Sequence, residues 1–303
     1  MNKIGIAAIA TAVISSAASA ANTDVIGNID LSKNWLGDNI KLNRADKDTT
    51  LYSTNWSSFT AGSAVGQDSW VNYGGTSAAF TITATRPGGQ AGQGYSQAQS
   101  GTSSRYFYRD LSTEFAGRGA GENSIWASYN QYLGATGTIR GRAGGSMFDN
   151  NGYVSGMRME VGTNATAGYA FGKVQGLAYL TDAAAAALGA TVGGNYSFTF
   201  NTGTRTAPVP TANSWVSFAH TRDLNTGRVT WYYSVDGGAN YSGFYVDAGV
   251  TTSTGVEFDF ITTGGQTTTS YTAQFGDMQV YTTPAPGAAA LVGLAGLVSR
   301  RRR

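Results

Sequence analysis

Residues 213–238 read NSWVSFAHTRDLNTGRVTWYYSVDGG, and the period of two within them restricts the fold more than any other feature of the chain. From 228 to 235, Val229, Trp231, Tyr233 and Val235 fall on one side of an extended chain, and Arg228, Thr230, Tyr232 and Ser234 on the other. That is the alternation of a half-buried strand. The preceding stretch, 214–222, is a second strand, and the five residues 223–227 join the two as a hairpin. Asn225 and Gly227 supply positions tolerant of positive φ, and Asp236-Gly237-Gly238 closes the second strand. A hairpin with one apolar face cannot stand alone, so the rest of the chain must provide a layer to cover it.

Further strands follow the same rule. VEFDFIT places Val256, Phe258 and Phe260 inward and Glu257 and Asp259 outward. In SYTAQFGDMQVYTT the apolar set Tyr271, Ala273, Phe275 gives way to Met278 and Val280. A one-residue change of phase at Gly276-Asp277 predicts a β-bulge. Strands are also expected at 124–133, at 138–148, in AAFTITATRP ended by Pro87, and in YVSGMRMEVGT, where Gly156 is expected to break the strand. Residues 88–104 show no periodicity and read as a long surface loop. TDAAAAALG predicts a short helix capped by Thr181 or Asp182 and stopped by Gly189. The expected class is all-β, an antiparallel β-sandwich over 21–283 with many turns. Forty-two glycines and a charged fraction of only 13% accord with it.

The two ends are of another character. Residues 1–20 carry Lys3, an apolar run over 4–14, and small residues at Ala18 and Ala20. This is the pattern of a secretory signal peptide, with cleavage expected after Ala20. At the other end, 287–298 is an unbroken run of Gly, Ala, Val and Leu before Ser299 and Arg300, Arg301, Arg302 and Arg303. As a helix the run would rise roughly 18 Å, against a hydrocarbon core of about 30 Å. A short span with a basic stop suits a temporary anchor held at the cytoplasmic side.

The tail, Pro284-Ala285-Pro286 followed by the apolar run and the four arginines, resembles the PEP-CTERM sorting signal of Gram-negative bacteria, with Ala285 where that family often has Glu. The resemblance implies export through the secretion machinery, transient anchoring in the inner membrane, and removal of 284–303 by an exosortase-type enzyme. It also implies a final place at the cell envelope surface or in extracellular polysaccharide. The body, through WVSFAHTRDLNTGRVTWYYSVDGG and the final GDMQVYTT, resembles the concanavalin-like or laminin-G-like jelly roll. SIWASY, GSMFDN and MRMEVG are similar to such modules in exported planctomycete-type proteins.

Between the two signals lie 263 residues with 15 basic and 18 acidic side chains, so the excess of positive charge belongs to the ends and nothing points to nucleic acid. Without cysteine there are no disulfides and no thiolate metal sites. The single histidine, His220, excludes a multi-histidine zinc centre and a thiol–imidazole pair. It lies on a strand without a Gly-x-Ser-x-Gly elbow, and is expected to be structural. Glucanases of the concanavalin-like group carry a Glu-x-Asp-x-x-Glu strand whose carboxylates act as nucleophile and general acid. Glu257 and Asp259 match its first two positions and Thr262 stands at the third. Glu114, Glu122 and Glu160 fall in no such pattern, so the two acids are expected only to keep an outer face wet. Two acidic turns, DNNG at 149–152 and DGGAN at 236–240, resemble calcium-binding turns of lectin-like sandwiches, and no other cofactor is expected. The reading is an exported, non-enzymatic surface or matrix protein. The alternative is a lectin-like binder of polysaccharide, calcium-dependent or not, with its many Trp and Tyr faces available for sugars. A degenerate glucanase is third.

Overall fold

The computed structural model describes residues 24–25, 34–42, 49–101, 103–134, 141–149, 151–152, 154–161, 172–190, 192–200, 208–264 and 270–284. The strands pair into two sheets. The first, of eight strands, runs in the order β1 (Asp24–Val25), β13 (Gly194–Thr199), β12 (Val174–Leu180), β11 (Val154–Val161), β10 (Gly141–Phe148), β17 (Glu257–Gly264), β8 (Ser104–Asp110), β5 (Val71–Tyr73). The second, of ten, runs β2 (Trp35–Ile40), β16 (Tyr241–Asp247), β15 (Arg228–Ser234), β14 (Ser214–Asp223), β9 (Ser124–Leu133), β18 (Tyr271–Thr283), β7 (Gly94–Gln99), β6 (Phe80–Thr83), β4 (Gly62–Ser63). β3 (Thr49–Thr54) pairs with the later half of β18, beyond the stretch that pairs with β7. All pairings are antiparallel except β1 beside β13.

The sheets face each other across an aromatic core. Trp70 stacks on Phe107 at 4.7 Å and Phe260 meets Phe275 at 4.3 Å. At the other end Phe200 and Phe244 lie within 9° of parallel at 4.1 Å, with Trp231 alongside. Such pairs add to the burial of large apolar area. Polar bonds stitch the layers as well. Trp231 Nε1 donates to Leu177 O at 3.2 Å, and Tyr129 Oη to Met157 O at 2.5 Å. Each satisfies a buried donor that would otherwise cost free energy.

The hairpin forms as β14 and β15, with Val229, Trp231 and Tyr233 buried and Val235 beyond the strand end and exposed. Gly227 takes φ 70°, whereas Asn225 stays at negative φ. Asn225 instead gives its N–H to Asp223 Oδ1 at 2.9 Å, an Asx turn that holds the loop. The bulge in β18 falls between Phe275 and Met278 as the phase change predicts. The helix forms over Asp182–Ala187 with Thr181 as its cap, and Gly189 is at φ 80°.

Two expectations fail for physical reasons. Residues 88–104 are not one surface loop, because β7 runs through them. Its inward positions are Tyr95, Gln97 and Gln99. Two buried glutamines erase the apolar alternation, and they are paid for by hydrogen bonds: Gln97 Nε2 donates to Thr262 Oγ1 at 2.9 Å, and Thr262 donates to Gln99 Oε1 at 3.0 Å. Gly156, in turn, does not break its strand. It lies inside β11, paired to Ser146 on one side and Leu177 on the other.

Candidate functional site

A strand's outward residues ordinarily meet water, yet one outward row of the eight-stranded sheet is polar and buried at once. Register places Val71, Tyr108, Asp259, Ser146, Gly156, Leu177 and Ser197 side by side across β5, β8, β17, β10, β11, β12 and β13. They point away from the core, because their neighbours Phe107, Phe258, Phe260, Met147, Met157 and Phe198 fill it. Asp259 is 4% exposed, and Ser146 and Ser197 are 1% exposed. Ser146 Oγ and Ser197 Oγ have no hydrogen-bond partner, and Asp259 Oδ1 receives no N–H or hydroxyl. Three unsatisfied oxygens on one row are costly to a fold that gains nothing from them.

Gly156 lets the strands and side chains of this row, termed the trough, approach closely. A Cβ there would come within 2.2 Å of Ser146 Oγ, and one at Gly144, in the next outward row, within 2.1 Å of Met157 O. With no side chain at either position, Ser146 and Arg158 lean into the space. The next row continues Tyr73, Tyr106, Ile261, Gly144, Arg158, Gln175 and Thr199. Arg158 Nε donates to Gln175 Oε1 at 2.8 Å, and Gln175 Nε2 to Thr199 Oγ1 at 3.3 Å. Beyond it Arg142 Nε holds Glu160 Oε1 at 3.1 Å, while Glu160 Oε2 is buried without a hydrogen bond. At the open edge Tyr73 is 57% exposed and meets Tyr106 at 6.0 Å.

Electrostatics set the protonation of the site. Burial first, then the neighbouring Glu257 carboxylate, push the Asp259 carboxyl well above its ordinary range. Burial also raises Glu257, while a hydrogen bond from Asp259 lowers it and the charge of Asp110 across the strand raises it further. Two carboxyls can share a hydrogen bond only if one keeps its proton, and Asp259 is the one that does. Glu160 is likewise raised by burial, against the lowering influence of Arg142, Lys173 and Arg158.

The sequence placed Glu257 and Asp259 outward, as found, but not wet: Asp259 is covered. Thr262 lies on the opposite side of β17, in the core. Position 262 is five along from 257, and a regular strand turns odd offsets to opposite faces. Pairing from Gly141–Gly264 to Phe148–Glu257 contains no bulge that would bring it back. Among the described residues the third carboxylate position of the glucanase pattern is therefore an interior hydroxyl. Of the other glutamates, Glu114 lies 3.6 Å from Arg109, and Glu122 accepts hydrogen bonds from Thr49 and Thr282.

The acidic turns are committed elsewhere. Asp149 is buried against Arg222 at 3.2 Å and caps Asn151 N at 2.8 Å. Asp236 takes Ser234 Oγ at 2.6 Å and Asn240 Nδ2 at 2.7 Å, and these bonds depress its carboxyl. Among the described residues no cluster of three acidic or histidine ligands stands ready for a metal. His220 is fully buried on the inner side of β14, with neither ring nitrogen hydrogen-bonded; burial, and then Arg222, hold its pKa down at about 3. Ala18, Ala20, Ala285, Pro286, Arg300, Arg301, Arg302 and Arg303 lie outside the described residues, and Pro284 is the last residue inside them. No described helix is long and apolar enough to cross a membrane.

No family model and no curated protein matches the chain. Solved structures do. Peanut lectin matches at 9% identity over 77% of this chain and 96% of its own, with a TM-score of 0.42. Lectin II from Ulex europaeus matches at 9% over 78% and 100%, with a TM-score of 0.45. A glycoside hydrolase family 16 endo-glucanase from Bacteroides ovatus matches at 11% over 76% and 99%, with a TM-score of 0.47. The sandwich itself rests on the strand pairing set out above.

Proposed function

We propose that the protein is an exported, non-catalytic β-sandwich that binds polysaccharide through the outward trough of its eight-stranded sheet. The observation that carries the reading is the row Asp259–Ser146–Ser197, three buried oxygens left without donors on a sheet face floored by glycine. Sugar hydroxyls are donors of the right kind, and the side chains that cover these oxygens must move aside to admit them. Tyr73 offers a ring face at the edge, backed by the buried Tyr106, and Arg158, held by Gln175, offers guanidinium donors further in. Catalysis is not part of the proposal. Asp259 and Glu257 are tied to each other by a hydrogen bond, and the third position of the glucanase pattern, Thr262, is in the core.

The ends supply the setting. Residues 1–20 and 284–303 act as export and sorting signals, the latter for an exosortase-type enzyme, and deliver the sandwich to the envelope surface or to extracellular polymer. Calcium is not required in this reading.

Affinity electrophoresis through gels containing neutral soluble polysaccharides tests the binding. The wild-type chain is expected to be retarded by at least one of them, with and without a chelator, and Arg158→Ala to lose most of the retardation. Full retardation of the variant, or release of reducing sugar by the wild type, contradicts the proposal. Mass spectrometry of the mature termini tests the sorting: a start at Ala21 and loss of the arginine cluster are expected, and an intact chain from Met1 to Arg303 contradicts it.

A further inference from the structure

The opposite outward face, that of the ten-stranded sheet, carries a row of aromatic rings. Trp126 on β9 lies 5.9 Å from Tyr281 on β18 and 5.9 Å from Tyr232 on β15, and the planes agree within 7° and 8°. Trp126 and Tyr281 are directly opposed in register. Tyr232 is two strands away, with β14 between, so its ring and that of Trp126 must lean toward each other to come so close. If parallel rings touch at roughly 3.5 Å, a centre separation of 5.9 Å tilts each ring roughly 36° from the line of centres. They overlap as tiles: Trp126 and Tyr232 are half-buried and present part of a face outward, while Tyr281, 6% exposed, backs Trp126 from beneath. The small outward residues between them accord with this: Ser128, Ala219, Thr221 and Thr230 are buried beneath. The register neighbours of the rings, with Gln279, are neutral. The nearest charges on this face are Asp223 on β14, in register with Ser124 and Arg228, and Arg228 itself, which pairs with Asp247 at 2.7 Å.

We infer that this tiled row is a second polysaccharide platform, so that the sandwich is bivalent and cross-links separate chains. A neutral aromatic strip bordered by hydroxyl and amide groups suits the apolar faces of pyranose rings and gives no purchase to an anionic polymer or lipid. The two outward faces lie back to back, separated by the thickness of the sandwich, and one polymer segment cannot lie on both. The cross-linking half of the inference rests on the trough as a binding site; the platform itself does not.

The test mixes the protein with the neutral polysaccharide that retards it in gels, and follows network formation by light scattering and viscosity. Wild type is expected to raise both. Tyr232→Ala, and Trp126→Phe as a milder change that preserves folding, are expected to bind with at least tenfold lower affinity for the platform, to keep trough binding, and to lose the network. Arg158→Ala is expected to lose the network while keeping platform binding. Thermal melts equal to wild type establish folding in each. A network undiminished in Tyr232→Ala overturns the inference, as does wild type that binds without cross-linking. If Arg158→Ala behaves as wild type while Tyr232→Ala does not, the trough fails and the platform stands. A dimer in sedimentation that Tyr232→Ala dissociates marks the row as a contact between copies and also overturns the inference.

Discussion

The two outward faces of the sandwich solve opposite problems. On the ten-stranded sheet the aromatic rings lie over small polar residues and bury them, as a surface does when it serves the stability of its own fold. On the eight-stranded sheet the polar residues are buried without that return: Ser146, Ser197 and Asp259 keep oxygens that nothing in the described protein satisfies. The ten-stranded face has an orphan of its own, Ser96 Oγ on β7, so the difference is between a row whose rings also stabilise the fold and a row whose three orphaned oxygens cost it. Orphaned groups also occur in the core, at Gln131 and His220, but those of the eight-stranded face are the ones set in an outward row, where a ligand could complete them.

The largest expected effect removes the contrast altogether. Trp231→Ala deletes a fully buried side chain and the donor that ties β15 to Leu177 O. A loss of about 3–5 kcal/mol in denaturant unfolding is expected, with both faces lost together. A loss below about 1 kcal/mol would mean that the sheets are not joined there.

Next is acid. His220 is buried and neutral with a pKa of about 3, against about 6.5 for an unfolded chain. A base with a lowered folded pKa gives stability that is complete above the unfolded value and is lost as pH falls toward the folded one. The loss is roughly 1.4 kcal/mol per pH unit in that interval. Asp259 and Glu160, whose pKa values are raised, act with the opposite sign, so wild type alone does not isolate the histidine. His220→Leu is expected to flatten the fall in stability between pH 6 and pH 4, read by urea unfolding. An unchanged slope would place the acid sensitivity elsewhere.

A smaller change distinguishes the faces directly. Gly156→Ala forces Ser146 or the strand to shift, at about 1–3 kcal/mol, and should fill the trough without touching the aromatic row. Retardation by the trough is expected to fall while the Trp126 platform is unaffected. Loss of both would show that the faces are not independent.

How much of this was legible in the sequence depends on where information is stored along the chain. The β14–β15 hairpin and the β18 bulge were visible because their inward residues are apolar and alternate locally. β7 was invisible because Gln97 and Gln99 occupy core positions, and their partner Thr262 lies more than 160 residues away. The trough was half visible. Glu257 and Asp259 stand out as an acidic pair, but Ser146, Gly156 and Ser197 carry no signal until register brings five strands together. Of the aromatic row only Tyr232 was placed on an outer side in the sequence, and Trp126 and Tyr281 join it only through register, for the same reason.

Asp259→Asn is the most direct measurement. The amide keeps a donor for Glu257 and abolishes the burden of a carboxyl whose pKa is raised. An acid raised in the folded state costs nothing at low pH and destabilises as pH rises through its folded pKa. The variant should therefore be more stable than wild type at pH 7, with the gain vanishing below about pH 4, and should bind polysaccharide more weakly through the trough. A variant that is less stable at pH 7, or that binds as wild type does, would contradict the claim that this face sacrifices stability for a ligand.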